Sequence, residues 1–399
     1  MKESIYYIAY SFIENQDSAN QIQSKKTFES LASVDSGIKG IFLGNKGSYK
    51  NPFWKVRKKN NQYFIDRFDF VNPYIEKIFK IGLIRKNIFP YLFAKRCQSI
   101  IGKDIFPKTI YMRLTSPEEA ICYIRNLDKL NVTRIFFEMH NLNYEISHFY
   151  KWGFEKAYCK SIYEYFFGLV RKSSGRIRII SLTGKLADII NSRFNIEKIE
   201  TVSSAHDFYA GQPKNVDFNK KRIEIIYVGL SFQYREVETL IQALNYLSDK
   251  FYIRAVGGRV SERAAFARKY YSLIQQERLI MEEPIGHDRI KEKLLNADIA
   301  VLTSPSKGFG YFTSPLKLFE YMSVGLPIIA SDTACLREIL TKESALFFKT
   351  GKSRDLANKI EYIAENETEA RRIGERAFRE SKKYTYSQRA KKIHQLISR

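Results

Sequence analysis

The run Thr313-Ser314-Pro315-Leu316-Lys317-Leu318-Phe319-Glu320 holds residue types that can bind a diphosphate. Ser314 is a preferred N-cap, and Pro315 suits the first helical position, where its missing N–H costs nothing. The free N–H groups from Thr313 to Leu316, with the positive end of the helix dipole, then make an anion site. Lys317 adds a point charge one turn in. Glu320 follows three residues later on the same face, where a carboxylate can take two ribose hydroxyls. An ion pair between the two on an exposed helix is the plainer alternative for that spacing. Gly325 can end the helix in a left-handed conformation, and Leu326 to Ala330 is a short apolar run suited to a buried parallel strand.

Other candidate groups stand at strand ends. Phe137-Glu138-Met139-His140 closes an expected strand, and a histidine at the C-terminal end of a parallel strand points into the ligand cleft of such folds. Taken alone, such a histidine is more often a structural hydrogen-bonder. Ile226-Tyr227-Val228-Gly229 and Ala255-Val256-Gly257-Gly258 are strands running into glycine turns. Ser18 can cap the first helix and offer N–H groups to a phosphate, or it is simply a cap.

The elements that must carry these residues alternate between short β-branched or aromatic runs and longer helical patterns, the signature of parallel sheets covered by helices. Strands are expected at 5–9, 38–43, 109–113, 135–139, 177–181 and 200–203, then at 223–228, 252–256, 279–282, 299–302, 327–330 and 345–348. A chain of 399 residues exceeds one ordinary core. The expected division is a first domain over 1–205, a linker over 206–221 rich in Gly, Pro and Asn, a second domain over 222–378, and a final helix over 379–399 returning to the first domain.

The string SPLKLFEYMSVGLPIIASD, from Ser314 to Asp332, resembles the donor-site motif of GT-B glycosyltransferases, specifically a variant of the retaining family 4. The resemblance implies an α/β fold of two doubly wound Rossmann-like domains facing across a cleft. It assigns Glu320 to the second of the family's two glutamates and leaves Phe312 where the first would stand. Lys307-Gly308-Phe309-Gly310 is similar to the glycine-rich turn that carries that first glutamate. Gly229 followed by Arg235, and Gly258, are similar to the strand ends and cation that face the diphosphate, with Leu230 in place of the usual arginine. The family also carries a histidine at the position of His140, near the donor sugar. The expected site is therefore His140, Arg235 and Glu320 for the reaction, with Ser18, Gly229, Gly258, Thr313, Ser314, Leu316 and Lys317 binding the donor. The implied activity is retaining transfer from a nucleotide diphosphate sugar to a glycan or lipid-linked acceptor by front-face displacement, without a metal or other cofactor.

Composition narrows the partners. The formal charge is +23, and between Lys46 and Arg113 there are sixteen Lys or Arg against four acids. Such a stretch, interleaved with Phe, Ile and Leu, suits an anionic membrane surface as well as a solvated face. A nucleic-acid-binding protein is the competing class, but helix-turn-helix, RRM and zinc signatures are missing. A GT-B sugar-nucleotide epimerase or phosphorylase is a further alternative. The four cysteines are scattered, without metal-site spacing, and read as free thiols. With no leader-like start or apolar span, the expected location is the cytoplasm, peripherally at the inner face of the cell membrane.

Overall fold

The computed structural model describes residues 3–12, 19–48, 55–69, 82–142, 153–207, 211–229, 231–232, 236–305, 311–312, 314 and 316–399. The chain divides into two compact units, Met1–Ser203 with Tyr386–Arg399, and Ser204–Thr385.

In the first unit the strands are β1 (Ser4–Phe12), β2 (Lys39–Ser48), β3 (Lys55–Lys59), β4 (Gln62–Asp69), β5 (Lys108–Arg113), β6 (Val132–Met139), β7 (Ile177–Ser181) and β8 (Ile199–Thr201). They form one sheet in the order β3-β4-β2-β1-β5-β6-β7-β8, parallel except for β3 against β4. The helices are α1 (Ala19–Val34), α2 (Gly82–Ile101), α3 (Pro117–Ile124), α4 (Gly153–Arg171), α5 (Gly184–Phe194) and the C-terminal helix Tyr386–Ile397. Pleating sends Tyr7 and Ala9 of β1, Phe42 of β2, Tyr111 of β5 and Phe136 of β6 into a core with Phe28 and Leu31 of α1 and Ala390, Ile393 and Ile397 of the C-terminal helix. On the opposite face the Phe137 ring of β6 meets Phe166 of α4 edge-on at 5.7 Å.

The β3–β4 hairpin was not among the expected strands. It turns on Asn60 and Asn61, with Asn60 at φ 52. Phe64 and Ile65 are buried on β4, and Phe64 belongs to the α1-side core. Lys55, Lys58 and Lys59 lie on the sheet edge, a position where lysines discourage pairing with another chain.

In the second unit the strands are β9 (Ile223–Gly229), β10 (Phe251–Gly257), β11 (Leu279–Glu282), β12 (Ile299–Leu302), β13 (Ile328–Ser331) and β14 (Leu346–Phe348), and each matches an expected strand to within a residue or two. The order β11-β10-β9-β12-β13-β14 is all parallel. The helices are α6 (Val237–Ala243), α7 (Val260–Lys269), α8 (Tyr271–Gln275), α9 (His287–Asn296), α10 (Leu316–Val324), α11 (Ala334–Arg337), α12 (Ser353–Glu365) and α13 (Glu367–Ser381). Ile223, Ile225 and Tyr227 of β9 pack with α6, α12 and α13, while Ile226 and Val228 pack with α9, α10 and α11. Burial on both faces is why β9 reads as an unbroken apolar strand apart from Glu224.

The segment 206–221, expected as a linker, lies within the second unit. Val216 and Phe218 join its core, and Lys214 N–H donates to the Val324 carbonyl at 2.8 Å. The chain passes between units at Ser203–Ser204 and at Thr385–Tyr386. Just inside the second unit, His206 N–H donates to the Tyr384 carbonyl at 3.0 Å and His206 bridges Thr385.

Glu119 closes the first turn of α3. Its N–H donates to Ser116 Oγ at 3.4 Å and its Oε2 accepts Thr115 N–H at 3.3 Å, leaving Oε1 buried without a partner among the described residues. Burial, with Glu118 nearby, pushes this carboxyl from 4.5 up to about 8 against the pull of the Thr115 N–H. The unfolded chain therefore gives up this proton above pH 4.5 while the folded chain keeps it, so stability falls as pH rises from there to about 8. Glu119→Gln, which imitates the protonated side chain, is expected to raise the melting temperature by about 3 °C or more at pH 8. The gain should vanish near pH 5. An equal gain at both values would show that Glu119 does not titrate in this window.

Candidate active site

In the second unit β9 has β10 on one side and β12 on the other. The connections leave toward opposite faces, and a reversal of this kind characteristically leaves a crevice beyond the C-terminal strand ends. The strand ends meet there through glycines. Gly257 and Gly258 have φ of 114 and 69, and Gly258 N–H donates to the Gly229 carbonyl at 2.6 Å. A Cβ on Gly257 would fall inside the Gly229 carbonyl oxygen, and one on Gly258 would lie 2.7 Å from the Phe232 ring. No other residue tolerates both the left-handed backbone and this approach. Glu262, in the first turn of α7, pins the turn by accepting from Ser231 Oγ at 2.8 Å, Phe232 N–H at 3.1 Å and Arg259 N–H at 3.1 Å. Arg263 Nη1 donates to the Gly258 carbonyl at 2.7 Å.

Helix α10 enters from β12, so its N-terminus lies at the same edge of the sheet. Leu318 to Val324 are all buried, and Tyr321 Oη accepts Val228 N–H at 2.9 Å, fixing the helix to β9. Gly325, at φ 74, ends the helix as its sequence position suggested. Leu316 and Lys317 are half-buried and Glu320 is 6% exposed. The His206 ring lies parallel to that of Phe319 at 6.4 Å, within electrostatic reach of Glu320. Burial lowers the His206 pKa, against the opposing pull of the Asp207 and Ser381 carbonyls and, after them, of Glu320. Ser314 is held from outside the helix: its Oγ accepts Ser204 N–H and its carbonyl accepts the Ser204 hydroxyl, each at 3.4 Å. Phe312 is buried at 3% exposure, putting an apolar ring where the resemblance places a glutamate.

The first unit gathers its polar groups at the corresponding edge of its own sheet. Arg113 ends β5, and Glu138 and His140 stand at the end of β6. His140 Nε2 is 2.7 Å from Glu138 Oε1, and His140 Nδ1 is 3.2 Å from Arg113 Nη2. Glu138 also accepts from the Tyr111 hydroxyl and from Arg389 of the C-terminal helix. Burial opposes its ionisation, but Arg389, His140 and Arg113 outweigh that and hold the carboxyl below the usual range. Burial and then the Arg113 charge bring the His140 pKa down to about 4.

Of the expected site residues, Gly229 and Gly258 are joined by a hydrogen bond, and Ser314, Leu316, Lys317 and Glu320 cluster at the start of α10. Ser18, Arg235 and Thr313 lie outside the described residues, as do Pro315 and Gly308. Arg113, Glu138 and Arg389 were not among the candidates. The charge next to His140 in Phe137-Glu138-Met139-His140 was a usable signal for Glu138 alone, because the others come from distant parts of the chain.

Residues 211–380 match the family model described as glycosyl transferases group 1. Sucrose-phosphate synthase from Thermosynechococcus elongatus superposes with a TM-score of 0.72 at 15% identity, covering 100% of this chain and 98% of that one. Anabaena HepE, in complex with UDP and glucose, gives 0.66 at 10% identity, covering 100% of both chains. The match to the group 1 glycosyl transferases lies within the second unit, and the chain has the GT-B fold. The chain is also 27% identical over 155 residues to a Campylobacter jejuni N,N'-diacetylbacillosaminyl-diphospho-undecaprenol alpha-1,3-N-acetylgalactosaminyltransferase, a match spanning 39% of this chain and 38% of that relative.

The glycine contact at the strand ends gives a direct test. Gly257→Ala is expected to lower the melting temperature of the protein by about 4 °C or more, since backbone strain and the clash add. Gly211→Ala, with nothing within 4 Å of the added methyl, should leave it unchanged. Equal melting of both variants would contradict the close approach of β9 and β10.

Proposed function

We propose that this chain moves a sugar from a nucleotide diphosphate sugar to a glycan or lipid-linked acceptor, with retention, in cell-envelope polysaccharide or glycolipid synthesis. The observation that carries the reading is a half-buried lysine and a buried glutamate in the first turns of α10, at the switch point of a doubly wound sheet. A helix N-terminus there favours a diphosphate, and Glu320 is deep enough to exclude water from hydroxyls it accepts. HepE, on the same fold, has been crystallised with UDP-glucose. The Campylobacter relative is named for an undecaprenol-linked acceptor.

The chemistry we assign is electrostatic. As the glycosidic bond to the diphosphate breaks, negative charge grows on the leaving phosphate, where the α10 N-terminus, Lys317 and Arg235 stabilise it. The leaving phosphate takes the proton of the attacking acceptor hydroxyl from the same face, so neither a carboxylate nucleophile nor a metal is required. Gly229 and Gly258 let backbone come close to the nucleotide. Ser18 offers N–H groups to the donor phosphate or the acceptor, and His140 acts on the reacting sugar.

For a lipid-linked acceptor, the supporting observation is a surface of the first unit. Tyr91 and Leu92 of α2 and Tyr165 of α4 are exposed, with Lys95 over the Tyr91 ring and Arg125 over the Tyr165 ring. Aromatic rings among cations suit an anionic bilayer surface, placing the enzyme peripherally on a cytoplasmic leaflet.

Glu320→Gln, Lys317→Met and Arg235→Ala are each expected to lower kcat/KM by about tenfold or more with melting unchanged, the loss that follows removal of a charged contact. Unaltered transfer in these variants would sink the site assignment. A thermal-shift screen with UDP, GDP, CMP and their sugars should show one nucleotide raising the melting temperature, and the anomeric configuration of the first product decides retention.

A further inference from the structure

The His140 imidazole is engaged at both nitrogens. A guanidinium donates hydrogen bonds and stays protonated at any working pH, so the nitrogen facing Arg113, Nδ1, accepts and cannot carry a proton. The ring proton is then on Nε2, donated to Glu138 Oε1 at 2.7 Å. Both partners are themselves fixed. Arg113 Nη1 donates to Ser24 Oγ at 3.0 Å and its Nη2 to Gln23 Oε1 at 2.6 Å, both on α1. Glu138 Oε2 takes the Tyr111 hydroxyl and Arg389, and Arg389 donates onward to the Val202 carbonyl at 2.9 Å and to that of Ser203. Side-chain exposure is 2% for Glu138 and Arg389 but 19% for His140, so the cluster reaches solvent at the imidazole.

We propose that Arg113, Glu138 and Arg389 are positioning residues, which present His140 to a bound sugar as a neutral imidazole with its proton fixed on Nε2. The inference deepens the reading that His140 meets the reacting sugar, and rests on it. A ring in this state carries no charge for a phosphate. It offers one N–H of set direction, shared with Glu138, and so suits an uncharged hydroxyl or ether oxygen. The ionisable groups facing the ring are Arg113 from β5, Glu138 from its own strand and Arg389 from the C-terminal helix, with the Tyr111 and Tyr7 hydroxyls behind them. Arg113 and Arg389 disfavour a second ring proton and Glu138 favours one, so removing Arg113 should let the ring protonate.

The test combines histidine NMR with transfer rates. The chain has five histidines, few enough for 15N-histidine labelling and assignment by His140→Ala. The wild-type ring is expected to stay in the neutral Nε2–H form from pH 5.5 to 8. In Arg113→Met it should titrate near or above about 6.5, and the transfer rate relative to wild type should be about fourfold or more lower at pH 6 than at pH 8. Arg113→Lys, which keeps a cationic donor, should restore the wild-type profile. A wild-type ring protonated at Nδ1, or titrating between pH 6 and 7, overturns the proposal; this spectrum decides even if Arg113→Met fails to fold. A pH-independent loss in a folded Arg113→Met also overturns it, since a purely structural role predicts that. Undiminished transfer by His140→Ala, beside a fixed Nε2–H ring in the wild type, would instead overturn the reading of His140 on which the proposal rests.

Discussion

In a parallel sheet every strand is entered from the same end, so each link must cross back over a face, and the crossover is right-handed. The chain covers both faces only by reversing its direction across the sheet. In the second unit it does so at β9, which lies between β10 and β12, and in the first at β1, between β2 and β5. Beyond the C-terminal end of a reversal strand there is no covering helix, and a crevice remains. The polar residues discussed above collect at those edges: the start of α10 and the Gly229–Gly258 contact in one unit, and Arg113, Glu138 and His140 in the other.

Helix α10 shows how tightly that edge is held. A helix buried from Leu318 to Val324 has few polar contacts with which to fix its rotation, and the Tyr321 hydroxyl supplies one by accepting the backbone N–H of Val228. Behind the helix, Gly374 of α13 packs so closely on the Gly325 carbonyl that a methyl group there would collide with it. Lys317 and Glu320 thus sit on a helix fixed at both ends and on its β9 side. Rigid support of this kind lets binding energy go into ligand contacts rather than into ordering the site.

The second-unit strands were legible because parallel strands buried on both faces are uninterrupted apolar runs, as in Ile223–Gly229 and Ile299–Leu302. The β3–β4 hairpin was not, because its run of Lys and Arg resembles a solvated surface, although Phe64 and Ile65 of β4 are buried. Asn60-Asn61 between the two strands was the overlooked turn signal. The placement of Glu320 in a buried helix and of His140 just past the end of β6 was legible from spacing and position at element ends. Arg389 was not: in sequence it is one more cation in a basic amphipathic helix, and its burial against Glu138 follows from a contact across 251 positions. The stretch 206–221 reads as a linker because Gly, Pro and Asn mark irregular backbone, while Val216 and Phe218 within it are core residues of the second unit.

The separation of Arg389 from Glu138 also matters while the chain is being made. The second unit is one continuous stretch, Ser204–Thr385, whose two ends are joined by the His206–Tyr384 hydrogen bond. It can close as soon as it has left the ribosome. The first unit needs residues 386–397, so its early-made sheet waits while some 180 further residues are added, on the order of 10–40 s at typical elongation rates. During that interval Glu138 lacks its guanidinium partner, and the face of β1 and β5 that Ala390 and Ile393 will cover stays open. The nascent first half is therefore the part of this protein with most need of a chaperone.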